Sequence, residues 1–287
     1  MNKKKVFDKI LKNIKEVKIQ GARNIAKQAL YAYSLIPTKN SKNILLNSRL
    51  TEPMMQNVLD MAESSPKGVS LGGKISYKEI LKHFDEAQEK INKNILKLIK
   101  TNNIIFTHCH STNVINALIY AKKNGKKFEV YNTETRPLFQ GRKTAEELKK
   151  AKIKVTMFID SALGIALNNA DIIFLGADAL LKNGIINKIG SGVISKIAKQ
   201  EKIPVYIVAD SWKFTKNKIL IEQRSLNEVW DKAPKNIKIK NPAFEFVDEK
   251  YISGIVTDLG VMGYRKFVEK VTQLSPDTQS SSSLFLH

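Results

Sequence analysis

The strongest constraint in this 287-residue sequence is a rhythm that begins at residue 103. Short apolar runs, NIIFTH, KFEVYNT, KVTMFI, DIIFLGA and PVYIVAD, alternate with spacers long enough for a helix. Such alternation fits a parallel, doubly wound sheet, because parallel neighbours need a crossover of a dozen or more residues. A later stretch, SGIVTDLGV, is expected to add a sixth strand or an edge. Thr144 and Glu147 read as a capping box opening the helix after the second strand. The expected fold class is therefore α/β, a Rossmann-like doubly wound parallel sheet, preceded by a helical N-terminal domain.

Ahead of that rhythm the apolar period changes to three and four. Val6, Ile10, Ile14 and Val17, followed by Ile25, Leu30 and Leu35, make residues 5–35 helical. Thr51-Glu52-Pro53 reads as a helix start, with proline in the first turn and Thr51 as its cap. SSPKGVSLGGKI at 64–75 reads as a mobile loop. Ser76 and Glu79 then read as a capping box for a long helix reaching about Lys100, with Ile80, Phe84, Ala87, Ile91, Ile95 and Leu98 on one face. The expected organisation is a helical domain over 1–100, a Rossmann-like catalytic domain over 101–274 and a disordered tail over 275–287, SPDTQSSSSLFLH.

One cysteine rules out an internal disulfide framework, and four scattered histidines lack metal-ligand spacing. No stretch approaches about 18 uncharged apolar residues. The expectation is a cytoplasmic protein with no membrane partner and no metal. The formal charge of +21 fits nucleic acid, an anionic surface or a phosphorylated small molecule. Most of that excess is lysine spread through every segment, which reads as a solvated surface rather than a dedicated nucleic-acid face.

In an open parallel sheet, ligands bind at the carboxyl ends of the strands. Here the runs end in Thr107-His108-Cys109-His110-Ser111, Thr133-Glu134-Thr135-Arg136, Asp160-Ser161, Gly176-Ala177-Asp178 and Ala209-Asp210-Ser211, with Lys213 close behind. All five ends are expected to bring reactive or anion-binding side chains to one rim. Cys109, between two histidines and just before a helix, is expected to have a thiol pKa lowered from about 8.5 toward neutrality, and so to accept a proton. A buried inert thiol is the plain alternative. His108 and His110 read as structural or orienting residues.

Asp178 follows an apolar strand, so its carboxyl group is expected in a partly dry site, with a raised pKa suited to acid–base work. A cap or turn aspartate is the alternative. Asn183-Gly184 reads as a turn, whereas Asn187-Lys188 suits an anion through the lysine charge and nearby helix-start amides. Arg136 suits a phosphate, with an ion pair to Glu134 or another acid as the structural alternative. No GxGxxG or GK[ST] motif follows a strand, so no nucleotide cofactor is expected.

THCHS at 107–111, TETRPLFQG at 133–141, GAD at 176–178 and NGIINKIG at 183–190 occur in one order and spacing. Together they resemble the superfamily that joins ribose-1,5-bisphosphate isomerase, methylthioribose-1-phosphate isomerase and the regulatory subunits of translation initiation factor 2B. The resemblance covers about residues 15–265. It implies Cys109 and Asp178 as a catalytic pair, with substrate contacts from Gly21, Ala22, Arg23, Arg49, Ser111, Thr112, Asn187, Lys188 and Lys213.

Gln20, also counted among the contacts, stands where the family usually carries an arginine. THCHS and Asn241-Pro242-Ala243-Phe244 are more similar to the archaeal ribose-1,5-bisphosphate enzyme, and Thr257-Asp258-Leu259-Gly260 to the initiation-factor subunits. The implied activity is a cofactor-free aldose–ketose isomerisation yielding ribulose 1,5-bisphosphate in nucleoside monophosphate salvage. In it Cys109 as thiolate takes the C2 proton and Asp178 moves protons between sugar oxygens, with a hydride shift as the other route. A regulatory binding subunit, a methylthioribose-1-phosphate isomerase and a nucleic-acid binder are the alternatives. The resemblance also implies a homo-oligomer, either a dimer or a hexamer of dimers.

Overall fold

The computed structural model describes residues 2–63, 77–221 and 223–274. The expected loop at 64–75, Ser76 of its capping box and the tail at 275–287 lie outside the described residues. Amphipathic periodicity produces helices α1 (Lys3–Lys15), α2 (Ala22–Leu35), α3 (Lys39–Leu46), α4 (Pro53–Glu63) and α5 (Tyr77–Leu98). Phe7, Ile14, Ile25, Leu45, Met55 and Leu59 make one apolar cluster among the first four. Pro53 starts α4 as expected. Thr51 is not its cap: Glu52 stands directly before α4, its carbonyl accepting from the Met55 and Gln56 N–H groups, and the Thr51 hydroxyl donates to the Leu220 carbonyl at 2.9 Å.

The apolar runs fold as expected into β1 (Asn103–Thr107), α6 (Thr112–Lys123), β2 (Phe128–Thr133), α7 (Gln140–Lys150), β3 (Lys154–Phe158), α8 (Leu163–Leu167) and β4 (Ile172–Leu175). After β4 come β5 (Ala179–Leu181), β6 (Gly184–Lys188), α9 (Ser191–Gln200), β7 (Val205–Val208), β8 (Phe244–Asp248), β9 (Gly254–Thr257), β10 (Gly260–Met262) and α10 (Tyr264–Leu274). The main sheet has the order β10-β9-β7-β4-β1-β2-β3, parallel throughout except for the β9–β10 hairpin. SGIVTDLGV supplies both strands of that hairpin.

Successive strand residues face opposite sides of the sheet. Phe106, Leu175, Ile207 and Ile255 pack with α10 through Phe267, whereas Ile105, Phe174, Val208 and Val256 pack with Ile91 and Ile95 of α5. The long N-terminal helix thus covers one face of the sheet.

Two elements depart from the sequence expectation. α7 starts at Gln140 behind Phe139, which is left-handed at φ 56°. Thr144 is therefore a buried residue of the second turn and not a cap. A small antiparallel sheet, β5-β6-β8, follows β4. Its first hairpin turns at Lys182-Asn183, as the Asn-Gly signal indicated.

Candidate active site

Strand order places the site. From β1 the chain steps outward to β2 and β3, then returns to β4 on the other side of β1. Adjacent loops leave in opposite directions at such a switch point, and a crevice opens between them. The loop after β1 carries His108 to Ser111 and the loop after β4 carries Gly176 to Asp178. A cleft of about 370 Å³ lies there, of a size suited to a small ligand. Of the expected site residues, Cys109, Asp178, Gln20, Gly21, Ala22, Arg23, Arg49, Ser111, Thr112, Asn187, Lys188 and Lys213 all line it.

Arg136 does not. Its guanidinium donates to the Val229 carbonyl at 3.1 Å and lies 5.0 Å from the centre of the Phe139 ring. The expected ion pair is not seen either, since Glu134 pairs with Arg142 at 2.9 Å and Arg136 makes no salt bridge among the described residues. Nor do all strand ends feed the rim. Asp160 receives the backbone N–H groups of Thr135 and Arg136, at 2.9 and 2.6 Å. Asp210 receives the Trp212 N–H at 2.9 Å and meets His83 Nε2 at 3.1 Å. Both aspartates brace the rim from behind.

Three helix N-termini face the cleft, at Ala22 of α2, Thr112 of α6 and Gln140 of α7. Their aligned dipoles favour an anion, although at α7 the Gly141 and Arg142 N–H groups already donate to the Glu134 and Phe139 carbonyls. Gly21 sits at φ 83°, a conformation that favours glycine, and turns the chain into α2. Gly176 has a different reason to lack a side chain: a Cβ there would lie 2.6 Å from the Ser111 hydroxyl, which caps α6. Helix α9 is excluded from this set. Its Gly190 and Gly192 amides donate to Glu245 at 2.6 and 2.9 Å, so the helix-start amides expected beside Lys188 are already taken.

The cations come from both sides of the cleft. Lys188 and Lys213 are buried, and Lys213 Nζ donates to the Ala177 carbonyl at 2.6 Å. Asp258 accepts from the Ser211 N–H and hydroxyl at 2.8 and 2.9 Å, which holds the turn that carries Lys213. Burial, then the nearby Asp210 charge, raises the Asp258 pKa. Across the cleft, buried Arg49 lies 3.5 Å from Glu52, and Arg23 pairs with Asp85. The Gln20 amide folds back on the Val17 carbonyl at 2.9 Å. Arg224, Lys143, Gln140 and the acids Glu52 and Glu147 also line the cleft. Sequence reading missed them because they lie on helices and loops away from the strand ends.

The thiol corrects the sequence expectation. Burial pushes the Cys109 pKa up to about 11, only partly opposed by the Lys188 charge, while Asp178 adds to the rise. Neither flanking histidine supplies a positive charge. Burial, then Lys143, pushes His110 down to about 4, and burial lowers His108 as well. His108 is an orienting residue: Nε2 donates to the Ile189 carbonyl at 2.9 Å and Nδ1 accepts from the Thr133 hydroxyl at 2.7 Å. Among the described residues, no group of three His, Cys, Asp or Glu side chains is arranged to hold a metal ion. No helix among them is long and apolar enough to cross a membrane.

Comparison with known proteins places this geometry among relatives. The chain is 31% identical to the ribose 1,5-bisphosphate isomerase of Archaeoglobus fulgidus, over 87% of each chain. It is 32% identical to that of Methanocaldococcus jannaschii, over 91% of this chain and 93% of the relative. The crystal structure of the Pyrococcus horikoshii translation initiation factor eIF-2B superposes with a TM-score of 0.81 at 25% identity, covering 91% of this chain and 98% of that one. The model of the initiation factor 2 subunit family matches residues 18–263, which span the α2 N-terminus, the switch-point cleft and the last hairpin, and the chain belongs to that family.

Proposed function

We propose that this chain is a metal-free and cofactor-free aldose–ketose isomerase that converts ribose 1,5-bisphosphate into ribulose 1,5-bisphosphate. The observation that carries the reading is the switch-point cleft itself. It sets Cys109 and Asp178 on neighbouring strand ends, with Lys188 and Lys213 on the sheet side and Arg49 with the α2 N-terminus opposite. A bisphosphate offers an anion at each end, and gripping both would hold the sugar across the reacting groups. The relatives named for this activity support the choice of substrate.

The chemistry follows from the substrate's own bonds. C1 carries a phosphate on O1, so ring opening leaves an electron-poor carbon rather than a free aldehyde. Asp178 as the acid gives its proton to the ring oxygen O4 while the C1–O4 bond breaks. The hydrogen on C2 then moves with its electron pair to C1. As C2=O forms, the O2 proton passes to the Asp178 carboxylate, which restores the acid. A thiol held near 11 is protonated at neutral pH, and this route needs no thiolate. Cys109 serves as the neutral wall of the cleft against the reacting carbons.

The deciding experiment incubates the purified protein with ribose 1,5-bisphosphate and, separately, with methylthioribose 1-phosphate, and follows ketose formation. Turnover of the bisphosphate alone is expected. Turnover of neither would favour a binding subunit of the initiation-factor kind, to which the folded-back Gln20 side chain and the 28%-identical Pyrococcus furiosus protein, named a putative eIF-2B subunit 2-like factor, both point. The working form in this reading is a cytoplasmic homo-oligomer.

A further inference from the structure

The conformation of Cys109 is unusual and it is not self-sustaining. Its φ of 66° lies in the left-handed region that residues with a side chain rarely adopt. Nothing in Cys109 itself favours this, so the neighbours must hold it there. Thr135 and Thr144, both buried, supply the hold. The Cys109 N–H donates to Thr135 Oγ1 at 3.0 Å, and the Cys109 carbonyl accepts from the Thr144 hydroxyl at 2.7 Å.

Each threonine is itself anchored. The Thr135 hydroxyl donates to the Thr133 carbonyl at 3.3 Å, which leaves a lone pair for Cys109. Thr135 is also left-handed, at φ 62°, and is fixed by its N–H to Asp160 Oδ1. The single Thr144 hydrogen is used on Cys109, so the contact between Thr144 Oγ1 and His110 Nδ1 at 3.2 Å has the imidazole as donor. That assigns neutral His110 its Nδ1–H form. The ends of β2 and β3 and the buried face of α7 thus converge on the two peptide groups that flank the Cys109 Cα.

We propose that Thr135 and Thr144 are positioning residues for the isomerisation: they clamp both backbone polar groups of Cys109 and so set the direction of its thiol in the cleft. The proposal rests on the reading of Cys109 as the wall against the reacting carbons. Removing either hydroxyl leaves a backbone group at Cys109 without its partner and frees the peptide to relax toward negative φ. The side chain then swings away from its place in the cleft. The fold itself is not set by these two peptide groups, because the strands and helices around them are held by their own ladders and cores.

The test uses Thr135→Val and Thr144→Val, which keep side-chain shape and remove the hydroxyl, with Thr135→Ser and Thr144→Ser as rescues. Two readouts are taken: kcat and KM on ribose 1,5-bisphosphate, and the rate at which iodoacetamide alkylates the chain's one cysteine at fixed pH. Each valine variant is expected to lose about tenfold or more in kcat with little change in KM, in keeping with the cost of a small misplacement. Its alkylation rate should depart from wild type, and serine should return both readouts. Wild-type kcat and alkylation in the valine variants would overturn the proposal, as would equal losses for serine and valine.

If wild type itself does not turn over the bisphosphate, the functional reading fails and alkylation alone decides the clamp. An unchanged rate in both valine variants then refutes it, and a changed rate restored by serine upholds it. Should one valine variant not fold, the other carries the test. Failure of both to fold beside folded serine variants would make these threonines structural and overturn the positioning role.

Discussion

The pH dependence of turnover separates the two ways in which hydrogen can reach C1. With the thiol at about 11, the thiolate fraction at pH 7 is about one in 10⁴. Were Cys109 the base that takes the C2 proton, kcat/KM would climb about tenfold per pH unit, or about a thousandfold between pH 7 and 10. The hydride route has no such limb, because the only group that exchanges protons is Asp178. Initial rates measured from pH 7 to 10 stay above the second titration of the phosphates, near 6. We expect a profile without the rising thiolate limb. The same reaction in D2O, followed by proton NMR of the product, should place no deuterium at C1, since the hydrogen never leaves the substrate. Cys109→Ser should then retain measurable turnover, as a hydroxyl can serve as a neutral wall but not as a comparable base. A slope of one across this range, deuterium at C1 and abolished turnover in the serine variant would together refute the hydride route and restore Cys109 as the base.

Three further outcomes follow from the same geometry. Asp178→Asn keeps the shape but not the exchangeable proton, so kcat should fall at least about a hundredfold with substrate affinity little changed, as read by turnover and calorimetry together. Lys188→Met should weaken substrate binding about 10- to 100-fold, the range for losing a charged hydrogen bond, yet raise Tm, because it removes a buried cation that makes no salt bridge among the described residues. His110 is held near 4 in the fold against 6.5 in the unfolded chain, so the unfolded state takes up the proton first on acidification. Stability should fall by up to about 3 kcal/mol as pH drops from about 6.5 to 4, and urea titrations of His110→Gln should lack that part of the loss.

Much of the fold is legible because its signals are local. Runs such as NIIFTH and PVYIVAD carry strand length, apolar character and a polar end within a few residues, and each became a strand with its end toward the rim. What was not legible depends on partners far along the chain. The three-residue β5 is too short to stand out, and its sheet is completed by β8, more than 60 residues later. Thr144 looked like a cap because Glu147 follows it. Phe139 starts the helix earlier and turns Thr144 toward Cys109. Glu245 takes the α9 amides across 55 residues, a pairing that no local pattern announces.

Charge gives the sharpest case, because a sequence counts cations and cannot weigh their burial. Lys42 and Lys188 are both buried, at 8% and 6% exposure. Lys42 lies 2.6 Å from Asp60 and also pairs with Glu63, so its charge is answered within the protein and its role is structural. Lys188 has no such salt bridge among the described residues, and it faces the cleft. Lys213 is likewise buried there, and its Nζ donates to the Ala177 carbonyl, with no salt bridge among the described residues. A cation out of water without an opposing charge costs stability, and an arriving phosphate supplies that charge. The chain's +21 is therefore a poor guide to its ligand. In the proposed function, two lysines kept dry beside the helix N-termini are a more direct sign of an anionic substrate than the many in solvent.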